Sequence, residues 1–265
     1  MTFPFSYAKL NKKQARKGER LRRRMIILIA LIAIATSVEA GYLYKAMFVR
    51  AAPGKLLDLI ALYKERMPVY DASGDQRPFW MRHSQGDQWD LLFLFPMENY
   101  GEYFKPERMA KRKQAAEKSG LPQEQFAKKF YEMVAWHEEV FVDGPALAQV
   151  QNAFSGAGFF HVEIFLALPG KQADLYKERE MENAYLKHLG RPENLIFTHD
   201  QGAAWDLFTI GFFRDLKHYA ESADIPDEKE AEAARRAGFE GPDKIGPYLR
   251  TLIQLHHDTL AVAVK

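Results

Sequence analysis

The stretch Gln85-Gly86-Asp87-Gln88-Trp89-Asp90-Leu91 returns later in the chain as Gln201-Gly202-Ala203-Ala204-Trp205-Asp206-Leu207, at an offset of 116. The same offset carries His83 onto His199 and Gly74 onto Gly190. It also carries Pro53-Gly54-Lys55 onto Pro169-Gly170-Lys171, and Tyr103 onto Tyr219. An ungapped register held from residue 53 to residue 103 reads as one unit written twice.

Working outward, residues 43–51 form an apolar strand stopped by Pro53-Gly54. A helix over 55–67 follows, with Leu56, Leu59, Ile60 and Tyr63 on one face. Strands over 79–83 and 89–95 flank the Gly86 turn. A charged helical stretch covers 99–118, and Gly120-Leu121-Pro122 breaks it. Phe126, Phe130, Met133, Val134, His137 and Phe141 predict one amphipathic helix over 123–141. The second copy repeats the order, with strands over 159–168, 195–199 and 205–213, and helices over 171–189 and 243–260. In that last helix Ile245, Leu249, Leu252, Ile253, His256 and Leu260 match the earlier stripe at an offset of 119. Residues 145–157 read as the link between halves, and 261–264 as a short edge strand.

Each copy is strand–helix–strand–strand–helix, the order of a ferredoxin-like α+β unit. In that order, in its Pro-Gly turns and in its Trp-Asp hairpins, the chain resembles the dimeric α/β-barrel superfamily, of the NIPSNAP-like or antibiotic-biosynthesis-monooxygenase-like type. That superfamily also includes stress-responsive and haem-handling barrels. The resemblance implies two sheets closing face to face, here from two tandem ferredoxin-like repeats of one chain, an intramolecular dimeric α/β barrel. The expected units are 41–144 and 158–265, joined by 145–157. The physical need is plain: a four-stranded sheet with helices on one face leaves the other bare until a second sheet covers it.

The formal charge of +2 hides an asymmetry, because removing residues 1–40 leaves 28 basic and 33 acidic residues, a net of −5. Such a body has no basic footprint for phosphates, so nucleic acid is not an expected partner. Residues 1–40 read as an export signal. Arg22-Arg23-Arg24 precedes an apolar run from 25 to 35, and Val38-Glu39-Ala40 places small residues at a cleavage site. The expectation is a periplasmic or secreted protein cleaved near Ala40. The alternative is an N-terminal anchor through residues 25–38, the only membrane contact foreseen. The chain has no cysteine, which excludes disulfides, thiolate catalysis and thiolate metal sites.

Strand alternation places His161, Glu163 and Phe165 on one face and Val162, Ile164 and Leu166 on the other. Assigning the wholly apolar set to the helices turns His161 and Glu163 toward the barrel interior, with Lys45 and Met47 as their counterparts in the first copy. An interior histidine and carboxylate suit acid–base catalysis or, more blandly, a buried ion pair. Lys45, Met47, Phe165, His137 and His256 complete the expected ligand site. Under the resemblance His137 and His256 acquire a haem reading, since haem-handling barrels use a helical histidine as axial ligand. The plainer reading is two core histidines. His256-His257-Asp258 does not read as a metal site, because adjacent helical residues diverge by about 100°, and no metal is expected.

Three functions fit these residues. The first is an exported barrel binding a small apolar or aromatic ligand inside, with an unidentified cofactor or none. The second is a cofactor-independent or haem-dependent monooxygenase-like enzyme. The third is a structural or interaction protein whose barrel is filled.

Overall fold

The computed structural model describes residues 41–264; the expected export signal lies outside them. Eight antiparallel strands close into a barrel in the order β1-β3-β2-β8-β5-β7-β6-β4. They are β1 Tyr42–Ala51, β2 Phe79–Gln85, β3 Leu91–Glu98, β4 Val134–Gly144, β5 Phe159–Ala167, β6 Leu195–Gln201, β7 Leu207–Phe213 and β8 Ile253–Ala263. Seven helices of eight residues or more accompany them: α1 Leu56–Ser73, α2 Pro106–Lys118, α3 Gln123–Met133, α4 Leu147–Phe154, α5 Gln172–Leu189, α6 Asp227–Ala237 and α7 Pro242–Arg250. Two seams complete the closure, β2 with β8 and β4 with β6.

The recurring hairpin earns its residues. Trp89 and Trp205 are buried in the same apolar cluster. Asp90 accepts the backbone N–H of Ala51 at 2.8 Å, and Asp206 accepts that of Ala167 at 2.7 Å. Gly86 has φ +123, and a Cβ there would lie 2.2 Å from the Asp258 carbonyl oxygen. Gly202 has φ +109 and comes within 2.8 Å of the Glu139 carbonyl in the same way. Glycine is needed where backbone meets backbone.

Two expectations about secondary structure are corrected. The helices predicted over 123–141 and 243–260 stop at Met133 and Arg250, and the chain continues as β4 and β8. A spacing of four is common to both periodicities: residues 137 and 141 share a face in a helix and also in a strand. What the stripe hid was Val140 and Val142, β-branched residues alternating into the core. Residues 261–264 are likewise no edge, since Ala261 and Val262 pair with both β2 and β5.

The faces of β1 and β5 are also the reverse of those expected. Tyr44, Ala46 and Phe48 join Phe160, Val162 and Ile164 in one cluster drawn from both halves, the barrel interior. Lys45, Met47, His161 and Glu163 point outward, beneath the helices. An eight-stranded barrel is narrow enough for side chains to fill, and here the wholly apolar set packs its interior. Phe48 has its ring centroid 5.8 Å from Trp89, 6.1 Å from Trp205 and 6.1 Å from Phe208, and the interior is packed rather than hollow. Among the described residues, the side chains expected to line an interior ligand site face away from the interior cluster.

The link at 145–157 contains α4, which stops one end of the barrel. Val150 is fully buried in the interior cluster. The Phe154 ring stacks on Phe79 at 4.7 Å and meets Phe160 and Phe212 at 5.3 and 5.1 Å.

Candidate functional site

The outward faces of β1 and β5 sit under α1 and α5, and the two halves fill that layer differently. In the first half Tyr63 lies over Phe93 with ring centroids 4.1 Å apart, and Phe126 and Phe130 pack edge-on against it. Between this sheet face and helices α1, α2 and α3 runs a cleft of about 750 Å³, walled by Tyr63, Tyr70, Phe95, Phe126, Phe130 and Phe141. Its charged floor is Lys45, whose Nζ reaches Glu139 Oε2 at 3.0 Å and lies 5.0 Å over the Phe95 ring. Met47 lines the same cleft and receives the Tyr63 hydroxyl at 4.0 Å. Arg66 also borders it but is committed elsewhere, donating to the Leu121 carbonyl at 2.8 Å.

In the second half the corresponding layer is ionic. Glu178, Arg179 and Glu163 are buried at 0%, 3% and 7% exposure. Arg179 Nε meets Glu178 Oε2 at 2.6 Å, and its Nη atoms lie 2.7 Å from Glu182 Oε2 and 3.7 Å from Glu163 Oε1. On the sheet side His161 Nε2 is 3.0 Å from Asp258 Oδ1, and His256 Nε2 is 3.2 Å from Glu163 Oε1. Thr209 donates its hydroxyl to Glu163 Oε2 at 3.1 Å. Phe165 is the platform: the His256 ring stacks on it at 4.6 Å and 7°, and the Arg179 guanidinium lies 4.7 Å from its centroid.

These contacts set the protonation states. Burial pushes the Glu163 carboxyl up, but the His256 hydrogen bond and the Arg179 and His161 charges outweigh it and hold it well below the usual range. Burial lowers His161, while Asp258 and Glu163 raise it further, leaving it above an ordinary imidazole. Glu182 and Glu178 are both raised, by burial first and by neighbouring carboxylates, against the pull of Arg179. The arrangement can hold a charged carboxylate, a cationic guanidinium and a half-exposed imidazole side by side, the parts of an acid–base pair.

Of the expected residues, the structure brings together His161, Glu163, Phe165 and His256, and gathers Lys45 and Met47 in the aromatic cleft. His137 stands apart on β4, between the rings of Phe130 and Tyr131 at 5.6 and 5.7 Å. Sequence reading missed Glu178, Arg179, Glu182 and Thr209, and it set Asp258 aside because residues 243–260 were expected to be helical. The signal was present at the 116 offset, where Leu62, Tyr63 and Phe93 in one copy stand against Glu178, Arg179 and Thr209 in the other.

The haem reading of His137 and His256 does not fit. Both lie on strands, and among the described residues no histidine lines the aromatic cleft.

No protein-family model matches the chain, and no curated protein matches it at a significant level. Solved structures do resemble it. An anthrone oxidase-like protein superposes with a TM-score of 0.52 at 11% identity, covering 85% of this chain and 92% of that one. A mutant chlorite dismutase from Candidatus Nitrospira defluvii gives a TM-score of 0.46 at 10% identity, covering 85% and 92%. A haem-binding protein from Thermus thermophilus gives 0.40 at 10% identity, with the same coverages. The likeness to the anthrone oxidase-like protein shows a shared fold and not a shared chemistry.

Proposed function

We propose that this chain is an exported binding protein, built of tandem ferredoxin-like units at 41–144 and 158–265, that holds a small aromatic ligand in the cleft outside the first half of its barrel. The observation that carries this reading is the aromatic-walled cavity of about 750 Å³ with the polar pair Lys45 and Glu139 at its floor. Ligand sites are commonly of this kind, apolar walls with a few placed polar groups. The rings accept a flat molecule by stacking. Lys45 donates to a hydroxyl or carbonyl oxygen, and Glu139 accepts from a hydroxyl, so a phenol or hydroxyquinone suits the pair. The ligand class rests on these walls and not on the barrel proteins that share the fold.

The test is titration of the full-length protein with 2-naphthol, followed by fluorescence. Ala127→Trp fills the cleft from α3 and should abolish binding. Lys45→Met should weaken it about ten-fold through the lost hydrogen bond. Unchanged binding in Ala127→Trp removes the cleft from consideration.

A second reading, a monooxygenase-like enzyme working without haem, is favoured by the ionic layer of the second half. There His161 is the group a substrate meets, its side chain 21% exposed while Glu163 behind it is 9% exposed. On this reading His161 removes a proton from an acidic hydroxyl and Arg179 steadies the resulting charge. Oxygen uptake with phenolic substrates that survives His161→Ala would end it.

A further inference from the structure

We propose that the second half binds a first-row divalent metal ion, with Zn²⁺ the type case, through His161 Nε2, Glu163 Oε1, His256 Nε2 and Asp258 Oδ1.

The spacing of these atoms is the first argument. Four ligands about 2.1 Å from a tetrahedral ion stand roughly 3.4 Å from one another. Here His161 Nε2 and Asp258 Oδ1 are 3.0 Å apart, His256 Nε2 and Glu163 Oε1 3.2 Å, and His256 Nε2 and Asp258 Oδ1 3.5 Å. The donor atoms of His161, Glu163 and Asp258 all lie within 4.8 Å of one another. Because residues 253–263 form a strand, His256 and Asp258 share a face and converge instead of diverging.

Charge is the second. Glu163, Glu178 and Glu182 gather around one guanidinium, that of Arg179. Glu178 is fully buried, and its Oε1 has no hydrogen-bond partner. Three carboxylates share a single guanidinium, and a second cation beside Glu163 would offset their mutual repulsion.

The comparison of the two halves is the third, and it is independent of both. Lys45 corresponds to His161, Met47 to Glu163, His137 to His256 and Glu139 to Asp258. In the first half the Lys45 ammonium supplies the cation, 3.0 Å from Glu139 Oε2. In the second half that ammonium is replaced by an imidazole, and the thioether by a carboxylate. The fixed cation has been exchanged for two metal-binding groups at the same places.

The surroundings suit a held ion. Thr209 orients Glu163 through Oε2, and Phe165 fixes the plane of His256. Such supporting contacts are what orient metal ligands. Side-chain exposures of 21% for His161, 27% for His256 and 57% for Asp258 leave a way in from solvent. Two imidazoles with two carboxylates favour zinc and its first-row neighbours over calcium or magnesium, which prefer oxygen alone.

The experiment uses untagged full-length protein stripped with chelator and titrated with Zn²⁺ alone, followed by calorimetry and by metal content after dialysis. One ion per chain is expected, with a rise in melting temperature on loading. Co²⁺ should give the visible absorption of a tetrahedral site. Glu163→Gln and His256→Ala should each weaken binding at least about 100-fold. His161→Lys, which gives the second half the first half's own cation, should melt within a few degrees of the parent and take up no metal. His137→Ala, at the equivalent place in the first half, should bind like the parent. The proposal falls if the parent takes up no Zn²⁺ at micromolar concentration. It falls equally if His161→Lys binds as the parent does, or if His137→Ala loses the ion while His256→Ala keeps it.

Discussion

Asp206 Oδ2 accepts the backbone N–H of Ala167 at 2.7 Å, tying the hairpin after β6 to the end of β5. In the same strand end, Asp206 N–H donates to the Phe165 carbonyl at 2.9 Å. Asp90 makes both bonds in the first half, to Ala51 at 2.8 Å and to Val49 at 2.7 Å. Each carboxylate satisfies a donor that the sheet cannot reach. Asp90→Ala and Asp206→Ala should each cost about 1–3 kcal/mol, the penalty for an orphaned donor bonded to a charged group. The sites lie in different halves, so the double variant should lose the sum of the two, as urea unfolding would measure.

The two turn glycines differ in how hard they press on the neighbouring strand. A Cβ at Gly86 would stand 2.2 Å from the Asp258 carbonyl and 2.7 Å from Thr259 Cα, whereas at Gly202 the nearest approach is 2.8 Å. Gly86→Ala should therefore destabilise by more than Gly202→Ala, on the order of 2–3 kcal/mol against 1–2 kcal/mol. Only the Gly86 change displaces the strand carrying His256 and Asp258. Denaturant midpoints for both variants check the order.

Within the ionic layer, one guanidinium serves several carboxylates, so the partners are not equivalent. Arg179→Met should cost about 3–5 kcal/mol, since it leaves Glu163 and Glu178 buried without a counter-charge. Glu178→Leu installs the residue type of Leu62, its first-half counterpart, and removes a carboxylate oxygen that has no hydrogen-bond partner. It should be neutral or stabilising by about 1 kcal/mol. Urea midpoints that rank the two variants the other way would contradict the assignment of Arg179 as the hub.

Asp75 gives the protein a measurable acid limit. Burial works to raise its carboxyl, but hydrogen bonds and charge from Arg112 and Arg108 outweigh that and leave it below the usual value. Its side chain is 5% exposed, and Arg108 Nε stands 2.6 Å away. A depressed folded-state value means that the stabilisation is complete above the unfolded-state pKa of about 3.9. It is lost as pH falls through the folded-state value. Asp75→Asn should lower stability by about 2–3 kcal/mol at pH 7, less than a fully buried pair because both arginines keep some solvent. The gap between parent and variant should close below pH 4. Unfolding curves across that range test it.

Residues 85–91 recur at 201–207 because tight turns and buried tryptophans tolerate few substitutes. The residues that form those turns and core contacts are the ones that recur. The strand–helix–strand–strand order followed from turn residues and periodicity. What failed was local ambiguity. His137 and Phe141 obey the helical and the strand period alike, and only Val140 and Val142 between them could have broken the tie. The inward face of β5 was misjudged because an outer helical layer was credited with being drier than a closed barrel, and the packing of Phe48 between Trp89 and Trp205 answers that. His161 and Glu163 stood out as a broken symmetry against Lys45 and Met47, and His256 as the match of His137. Arg179 did not stand out, since nothing in a helix taken singly says which charged residue faces inward, and Asp258 was set aside because a strand was read as a helix.

The placement of β8 has a consequence for how the barrel holds together. Ala261 and Val262 bond to β2 on one side and to β5 on the other, and among the described residues no other strand joins those two. Loss of β8 would bare two raw strand margins at once, the most adhesive surface a sheet protein possesses. A single strand thus stands between a closed barrel and a seed for edge-to-edge aggregation.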